Sequence, residues 1–143
     1  MNRKIYIAYG SNLNIRQMKR RCPRAKKIGE YILEGYKLEF RGVANIIPDT
    51  ESKVPVGLWE ITEECEKSLD IYEGFPNLYR KEYIELEING QKEIGMVYVM
   101  NYKGIAPPNK YYYDVIKEGY DDFGISEKPL KQALKESIQA INK

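Results

Sequence analysis

Two short stretches of the chain combine residue types that could do chemistry. The first runs from Tyr9 to Leu13, where an alternating apolar segment gives way to turn-forming residues. In such a turn, the backbone N–H groups of Gly10, Ser11 and Asn12 can point into one concavity and bind a carboxylate or an oxyanion. An ordinary strand-to-helix turn uses the same residue types, so composition alone leaves both interpretations open.

The second stretch runs from Leu69 to Pro76 and carries Glu73 at the predicted end of a helix. A carboxylate at that end opposes the helix dipole. Beside the aromatic residues Tyr72 and Phe75, the carboxyl group would be partly desolvated, which raises its pKa and prepares it to transfer protons near neutral pH. Glu73 is therefore a candidate general acid/base, and the alternative is a solvated surface glutamate.

The composition limits what other chemistry is available. The chain has no histidine, which excludes Ser-His-Asp triads, Cys-His dyads and His-ligated zinc sites. Its two cysteines, Cys22 and Cys65, are interpreted as core residues, because no histidine stands ready to deprotonate them. Thirteen tyrosines against three phenylalanines bring many hydroxyls that need a polar partner, which suits a polar, aromatic-lined cavity.

A basic run lies between the two stretches. It contains no acidic residue and consists of Arg16, Lys19, Arg20, Arg21, Arg24, Lys26 and Lys27. The run could contact a nucleic acid or an anionic group of a substrate. A solvated helix face is the preferred interpretation, because 23 basic and 21 acidic residues leave a formal net charge of only +2 at pH 7. We therefore expect no nucleic-acid partner.

Strands and helices must bring the two stretches together. Alternation predicts strands at Lys4–Tyr9, Ile28–Leu33, Tyr36–Phe40 and Val54–Ile61, with a polar turn at Pro48–Lys53. The dipeptide Asn89-Gly90 predicts a type I′ hairpin between strands Tyr83–Ile88 and Glu93–Met100. Helices are predicted between Asn14 and Pro23, from Thr62 to Gly74, after Pro107-Pro108, and from Ser126 onward. This order is not a regular alternation of strand and helix, so we predict a mixed sheet or small barrel with peripheral helices.

Taken together, these segments resemble the γ-glutamylcyclotransferase-like family, AIG2-like proteins included. The segment Ala8–Leu13 (AYGSNL) resembles the family's substrate loop, and Ser68–Gly74 (SLDIYEG) resembles the helix that carries its catalytic glutamate. The similarity continues, over roughly residues 4–120, at Phe40–Ile46, Val56–Ile61, Leu78-Tyr79 and Tyr111–Gly119. The resemblance implies a single domain over residues 1–143 with an α+β fold, either a small β-barrel or a strongly curved mixed sheet with peripheral helices.

The resemblance also implies an activity that these residue types can support. The α-amine of a γ-glutamyl group attacks its own γ-carbonyl, so 5-oxoproline forms and an amine or peptide departs without a protein nucleophile. Glu73 would be the general acid/base. No metal and no organic cofactor is expected. Substrate contacts are implied at Tyr6, Ile7, Ala8, Tyr9, Gly10, Ser11, Asn12, Tyr79 and Tyr112.

Two other functions stay open on the sequence. A binding module would use the same cavity for a γ-glutamyl-like ligand without turning it over, and a nucleic-acid-binding protein would use the basic run. No apolar stretch approaches the length of a membrane span, and Met1–Gly10 has no apolar export signal, so we predict a cytoplasmic protein that acts on a small molecule away from membranes. Neither the departing amine nor the oligomeric state follows from the sequence.

Overall fold

Over residues 3–142, which the computed structural model describes, the chain forms five strands and four α-helices. The strands are β1 (Lys4–Ala8), β2 (Lys26–Arg41), β3 (Val43–Ile61), β4 (Tyr79–Ile88) and β5 (Gln91–Met100). The helices are α1 (Ile15–Arg21), α2 (Glu63–Glu73), α3 (Lys110–Phe123) and α4 (Lys128–Ile141), and a 3₁₀ turn at Ser11–Leu13 leads into α1. None of these helices is long and apolar enough to cross a bilayer.

The strands form one mixed sheet in the order β2-β3-β1-β5-β4. Strand β1 lies in the middle, antiparallel to β3 and parallel to β5. The predicted α+β class and mixed sheet are confirmed. The sheet is open, with β2 and β4 at its edges, so the closed-barrel alternative is not adopted.

The sheet is nevertheless strongly curved. The Tyr31 hydroxyl on β2 accepts a hydrogen bond from the Glu87 amide on β4, at 3.1 Å. In a flat five-stranded sheet these two edges would lie roughly 19 Å apart, at about 4.8 Å per strand. Curvature therefore brings the outer strands together at this point, and one side-chain hydrogen bond spans the opening.

The β2–β3 hairpin differs from the prediction. The strands predicted on either side of Gly35 are one continuous strand, and the chain reverses at Gly42, where Arg41 pairs with Val43. Gly42 has φ +79°, which only glycine adopts at little cost. The turn was missed because a lone glycine is a weak turn signal beside the polar residues that follow.

The polar segment predicted as a turn at Pro48–Lys53 lies within β3 instead. Opposite Gly35, the register shifts so that Glu34 pairs with Lys53 while Tyr36 pairs with Pro48. The intervening residues form a local excursion, in which the Asp49 carboxylate accepts hydrogen bonds from the Glu51 amide and the Ser52 hydroxyl. The hydrogen bonds typical of a turn are present, but they form a bulge within β3 and do not end the strand.

Other local predictions are confirmed. Asn89 and Gly90 have φ values of 52° and 80°, as a type I′ turn requires, and they join β4 to β5. The Asn14 and Thr62 side chains cap α1 and α2. Helix α3 is capped by Asn109, just after the two prolines, and α4 begins at Lys128, two residues beyond the predicted Ser126.

Helix α3 is packed closely against the end of β1. A Cβ atom at Gly119 would lie 2.7 Å from the backbone of Leu13 and Asn14, so the absence of a side chain there permits the contact. The side-chain nitrogen of Asn14, Nδ2, also donates to the Val115 carbonyl at 3.0 Å. Helix α3 is thereby held beside the loop that follows β1, which places Tyr112 over that loop.

Candidate active site

A small cleft, partly open to solvent, lies where β1 ends and α2 ends. Its wall is formed by Tyr6, Tyr9, Gly10, Ser11, Asn12, Ala44, Glu73, Tyr79 and Tyr112. Residues far apart in the chain, from both stretches singled out in the sequence, thus share one concavity.

Two residues of the implied substrate loop do not reach the cleft wall. Ile7 and Ala8 are both buried, and a Cβ at Gly95 would lie 2.7 Å from Ile7 Cδ1, in the core of the sheet. Both residues belong to the central strand β1, which positions the loop that follows it. Ala44 does line the cleft but was not among the predicted contacts.

The loop after β1 offers free backbone donors. The carbonyls of Gly10 and Ser11 accept the amides of Leu13 and Asn14, each at 3.0 Å, which closes the 3₁₀ turn. The amides of Gly10, Ser11 and Asn12 stand at the start of that turn and donate no hydrogen bond to any residue in 3–142. Their geometry supports the anion-binding interpretation of the turn.

Gly10 is tightly enclosed. A Cβ atom on this residue would lie 3.2 Å from Ala44 Cβ and 3.3 Å from Tyr112 Oη. The close approach of these two groups leaves little room for a side chain, which favours glycine here. The missing side chain leaves the floor of the cleft open.

Two tyrosines hold Ala44 in place, and they differ in what they can still do. The Tyr79 hydroxyl donates to the Ala44 carbonyl at 2.9 Å, so its proton is already used. The Tyr112 hydroxyl accepts from the Ala44 amide at 3.0 Å, so its own proton remains available. Tyr112 is therefore a hydrogen-bond donor for a ligand, whereas Tyr79 positions the wall.

Arg21 determines the direction of a second hydrogen-bond chain. Its Nη1 donates to the Asn12 side-chain oxygen at 2.6 Å, which turns the Asn12 amide nitrogen toward the Tyr6 hydroxyl, 2.8 Å away. Tyr6 must then accept, and its own proton is free to point into the cleft. Tyr9, by contrast, donates to the Tyr98 carbonyl at 2.7 Å. Arg21 was not among the residues predicted for the site.

Glu73 is the acidic residue of the cleft wall. Helix α2 ends at Glu73 because Gly74 adopts the left-handed conformation, with φ +66°. Burial raises the pKa of the Glu73 carboxyl to about 7, and the positive charge of Arg21 partly opposes that rise. No side chain in 3–142 donates a hydrogen bond to this carboxyl group, so it is free to exchange a proton with a ligand.

The tyrosines around Glu73 remain protonated at neutral pH. Burial, with a contribution from the negative charge of Glu73, raises the pKa of Tyr6, Tyr9 and Tyr112 above its ordinary value. The cleft therefore pairs a carboxyl group that titrates near neutrality with phenols that act only as hydrogen-bonding groups.

The remaining candidates take structural positions. Cys22 and Cys65 are buried, the Cys22 thiol donates to the Cys65 carbonyl at 3.4 Å, and burial raises the pKa of Cys22 to about 12. Their interpretation as core residues fits this environment.

Within 3–142, no cluster of three or more metal-ligating side chains occurs. Apart from Arg21, which is partly buried, the residues of the basic run are exposed, as predicted for a solvated face.

Comparison with known proteins relates the chain to a family and a fold. The model of the family described as gamma-glutamyl cyclotransferase, AIG2-like, matches residues 6–120. Among curated proteins, none matches.

Solved structures share the architecture. One named gamma-glutamyl cyclotransferase superposes with a TM-score of 0.80 at 24% identity, over 92% of this chain and 86% of its own. An uncharacterized protein from Homo sapiens, loc79017, also gives 0.80 at 24% identity, over 94% and 88% of the two chains. YkqA from Bacillus subtilis gives 0.74 at 22% identity, over 94% of this chain and 55% of its own. At such identities the similarity establishes the fold.

Proposed function

Because this chain belongs to the gamma-glutamyl cyclotransferase, AIG2-like family, we propose that it is an enzyme that releases 5-oxoproline from a γ-glutamyl amine or peptide. The observation that carries the proposal is Glu73. Its carboxyl group has a pKa of about 7 and lies in the same cleft as the free N–H groups of the loop after β1. A group that gains and loses a proton near neutral pH is what this reaction requires.

The reaction begins with the α-ammonium group of the substrate. The Glu73 carboxylate takes one proton, and the freed nitrogen attacks the γ-carbonyl carbon of the same molecule. As the amide C–N bond breaks, Glu73 returns its proton to the departing nitrogen. A second proton passes from the ring nitrogen to the same amine, so the products are the lactam 5-oxoproline and a protonated amine.

The other groups of the cleft support binding and charge stabilisation. The substrate's α-carboxylate and the oxyanion of the tetrahedral intermediate both need donors, and the amides of Gly10, Ser11 and Asn12 are available for them. The free hydroxyl protons of Tyr6 and Tyr112 add two more donors at the wall. Because attack is intramolecular, a rigid cleft that holds the γ-glutamyl group folded supplies much of the rate advantage.

A direct assay tests the proposal. The protein is incubated with a panel of γ-glutamyl amino acids, γ-glutamyl peptides and γ-glutamyl amines, and 5-oxoproline is measured by mass spectrometry. We expect 5-oxoproline from at least one class in stoichiometric amounts with the released amine. If saturable binding occurs but no member of the panel yields 5-oxoproline, the protein is a binding module for such ligands and the proposal is wrong.

A further inference from the structure

Arg21 is a partly buried cation without an acidic partner. The arginines Arg3, Arg16, Arg41 and Arg80 each form an ion pair with a glutamate. Arg21 has no carboxylate within ion-pair distance among residues 3–142. The charge of Arg21 acts on Glu73, but the two groups form no ion pair, so the guanidinium can still pair with an anion brought by a ligand.

The Arg21 guanidinium is held in one orientation. Its Nη1 and Nη2 donate to the side-chain oxygens of Asn12 and Gln17, both at 2.6 Å, and its Cζ atom lies 3.5 Å from the centre of the Tyr72 ring. Two of the five N–H donors of an arginine are thus used, and the others are available. A fixed guanidinium loses little conformational freedom when it binds a carboxylate.

The position of Arg21 connects the cleft to a second depression. A groove runs between the end of α1 and the first turns of α2, and its wall includes Arg21, Arg24, Glu64 and Ser68. Tyr72, one turn of α2 beyond Ser68, stacks on Arg21 and also contacts Ser11 through a 2.8 Å hydrogen bond between their hydroxyls. Arg21 therefore lies between the groove and the cleft that contains Glu73.

We propose that Arg21 binds a carboxylate on the departing part of the substrate, so that γ-glutamyl amino acids or peptides are preferred over γ-glutamyl amines that lack this charge. The inference rests on the proposed function and specifies its substrate class. The backbone amides of the loop are available for the α-carboxylate of the γ-glutamyl group, which leaves the anion beyond the scissile amide for Arg21.

A matched pair of substrates tests the inference. γ-Glutamyl-L-alanine and γ-glutamyl-ethylamide differ only in the carboxylate of the departing group, and kcat/KM is measured for both. We expect the parent protein to prefer the first by on the order of 10- to 100-fold, as for a charge-assisted hydrogen bond. Arg21→Gln should reduce this ratio to within about threefold, and Arg21→Lys should give an intermediate ratio, because it keeps the charge without the planar fork.

Arg20→Gln is the matched control, since Arg20 is on the same helix and exposed. It should keep the preference of the parent protein. The inference is wrong if the parent shows no preference, or if Arg21→Gln lowers kcat/KM for both substrates by the same factor, as expected if Arg21 acts on the γ-glutamyl half or only orients Asn12.

Absence of turnover is a separate result. If the parent protein produces 5-oxoproline from neither compound nor from any of the wider panel, the proposed function fails. The affinity of the parent for the two compounds, measured by calorimetry, then tests Arg21 directly, and equal affinities overturn the inference.

Discussion

At the residue scale, the chemistry of Glu73 depends on what surrounds it. Burial raises the pKa of its carboxyl, and Arg21 limits that rise. Tyrosines from β1, β4, β5 and α3 also face the charge of Glu73; they are Tyr6, Tyr9, Tyr79, Tyr98 and Tyr112. These phenols stay protonated, so one carboxyl group is the titrating group of the cleft near neutral pH.

Glu73→Gln tests the proton-transfer role. The amide keeps the size and polarity of the side chain but cannot exchange a proton, so we expect turnover to fall by on the order of 10²-fold or more with substrate binding retained. The measurement is kcat for 5-oxoproline release, with affinity determined separately. Glu63→Gln, an exposed position on the same helix, is the control and should behave like the parent. A Glu73→Gln variant that turns over at close to the parent rate would contradict the mechanism.

The raised pKa of Glu73 also predicts how stability depends on pH. In the folded protein this pKa is about 7, against an ordinary value of 4.5, so the folded state binds more protons between these values. Ionised Glu73 therefore destabilises the fold increasingly as pH rises from about 4.5 to about 7, and by a constant amount above that.

Glu73→Gln removes this penalty. Relative to the parent, the variant should be more stable at pH 8 by on the order of 1–3 kcal/mol, less than full burial would give because solvent reaches part of the side chain. The difference should vanish near pH 4.5. Thermal unfolding at several pH values checks this, and a difference that does not change with pH would show that Glu73 titrates normally.

At the scale of secondary-structure elements, the cleft combines a strand end with a helix end. Both were predictable, because the strand pattern in the sequence breaks at Gly10 and the helix pattern stops at Gly74. The role of Arg21 was not, since the other residues of the basic run are exposed and Arg21 is distinguished from them only by its contact with Tyr72. The position of Ala44 in the cleft wall could not be predicted either, because it depends on hydrogen bonds between the Ala44 backbone and two tyrosines and not on the Ala44 side chain.

Gly10→Ala tests whether space in the loop is needed for substrate. Thermal unfolding of the variant is measured first, so that a loss of affinity is interpreted only for a folded protein. The added methyl group would sit against Ala44 and Tyr112, in the floor of the cleft. We expect a several-fold or greater loss of substrate affinity. Unchanged affinity in the folded variant would rule out the loop as the floor of the substrate site.

At the scale of the whole molecule, the path of the chain brings the two parts of the site together. Gly10 and Glu73 are far apart in sequence, and they meet because β3 ends beside Lys4, at the start of β1, and α2 then leads back to the loop after β1. The family resemblance implied either a barrel or a curved sheet, and residue alternation does not distinguish them. Whether the sheet closes into a barrel depends on pairing between strands that are distant in sequence, and local residue patterns do not encode that pairing.

Tyr31→Phe tests the hydrogen bond that spans the sheet opening. It removes the acceptor for the Glu87 amide and leaves the ring in place. Because that amide lies near solvent, we expect a loss of only about 0.5–1 kcal/mol in the free energy of unfolding, measured with urea. Tyr83→Phe is the control, because Tyr83 is 64% exposed on β4. A loss above about 2 kcal/mol would indicate that this contact maintains the curvature of the whole sheet.

The only tryptophan of the chain supplies an optical probe of the site. Trp59 is buried in β3, and its indole N–H donates to the Asn12 carbonyl at 3.0 Å. The loop whose amides are offered to the ligand is therefore bonded directly to the dominant fluorophore. Occupancy of the cleft should change the emission intensity or wavelength of Trp59, so ligand affinity can be followed by fluorescence titration of the unlabelled protein, including variants that no longer turn over.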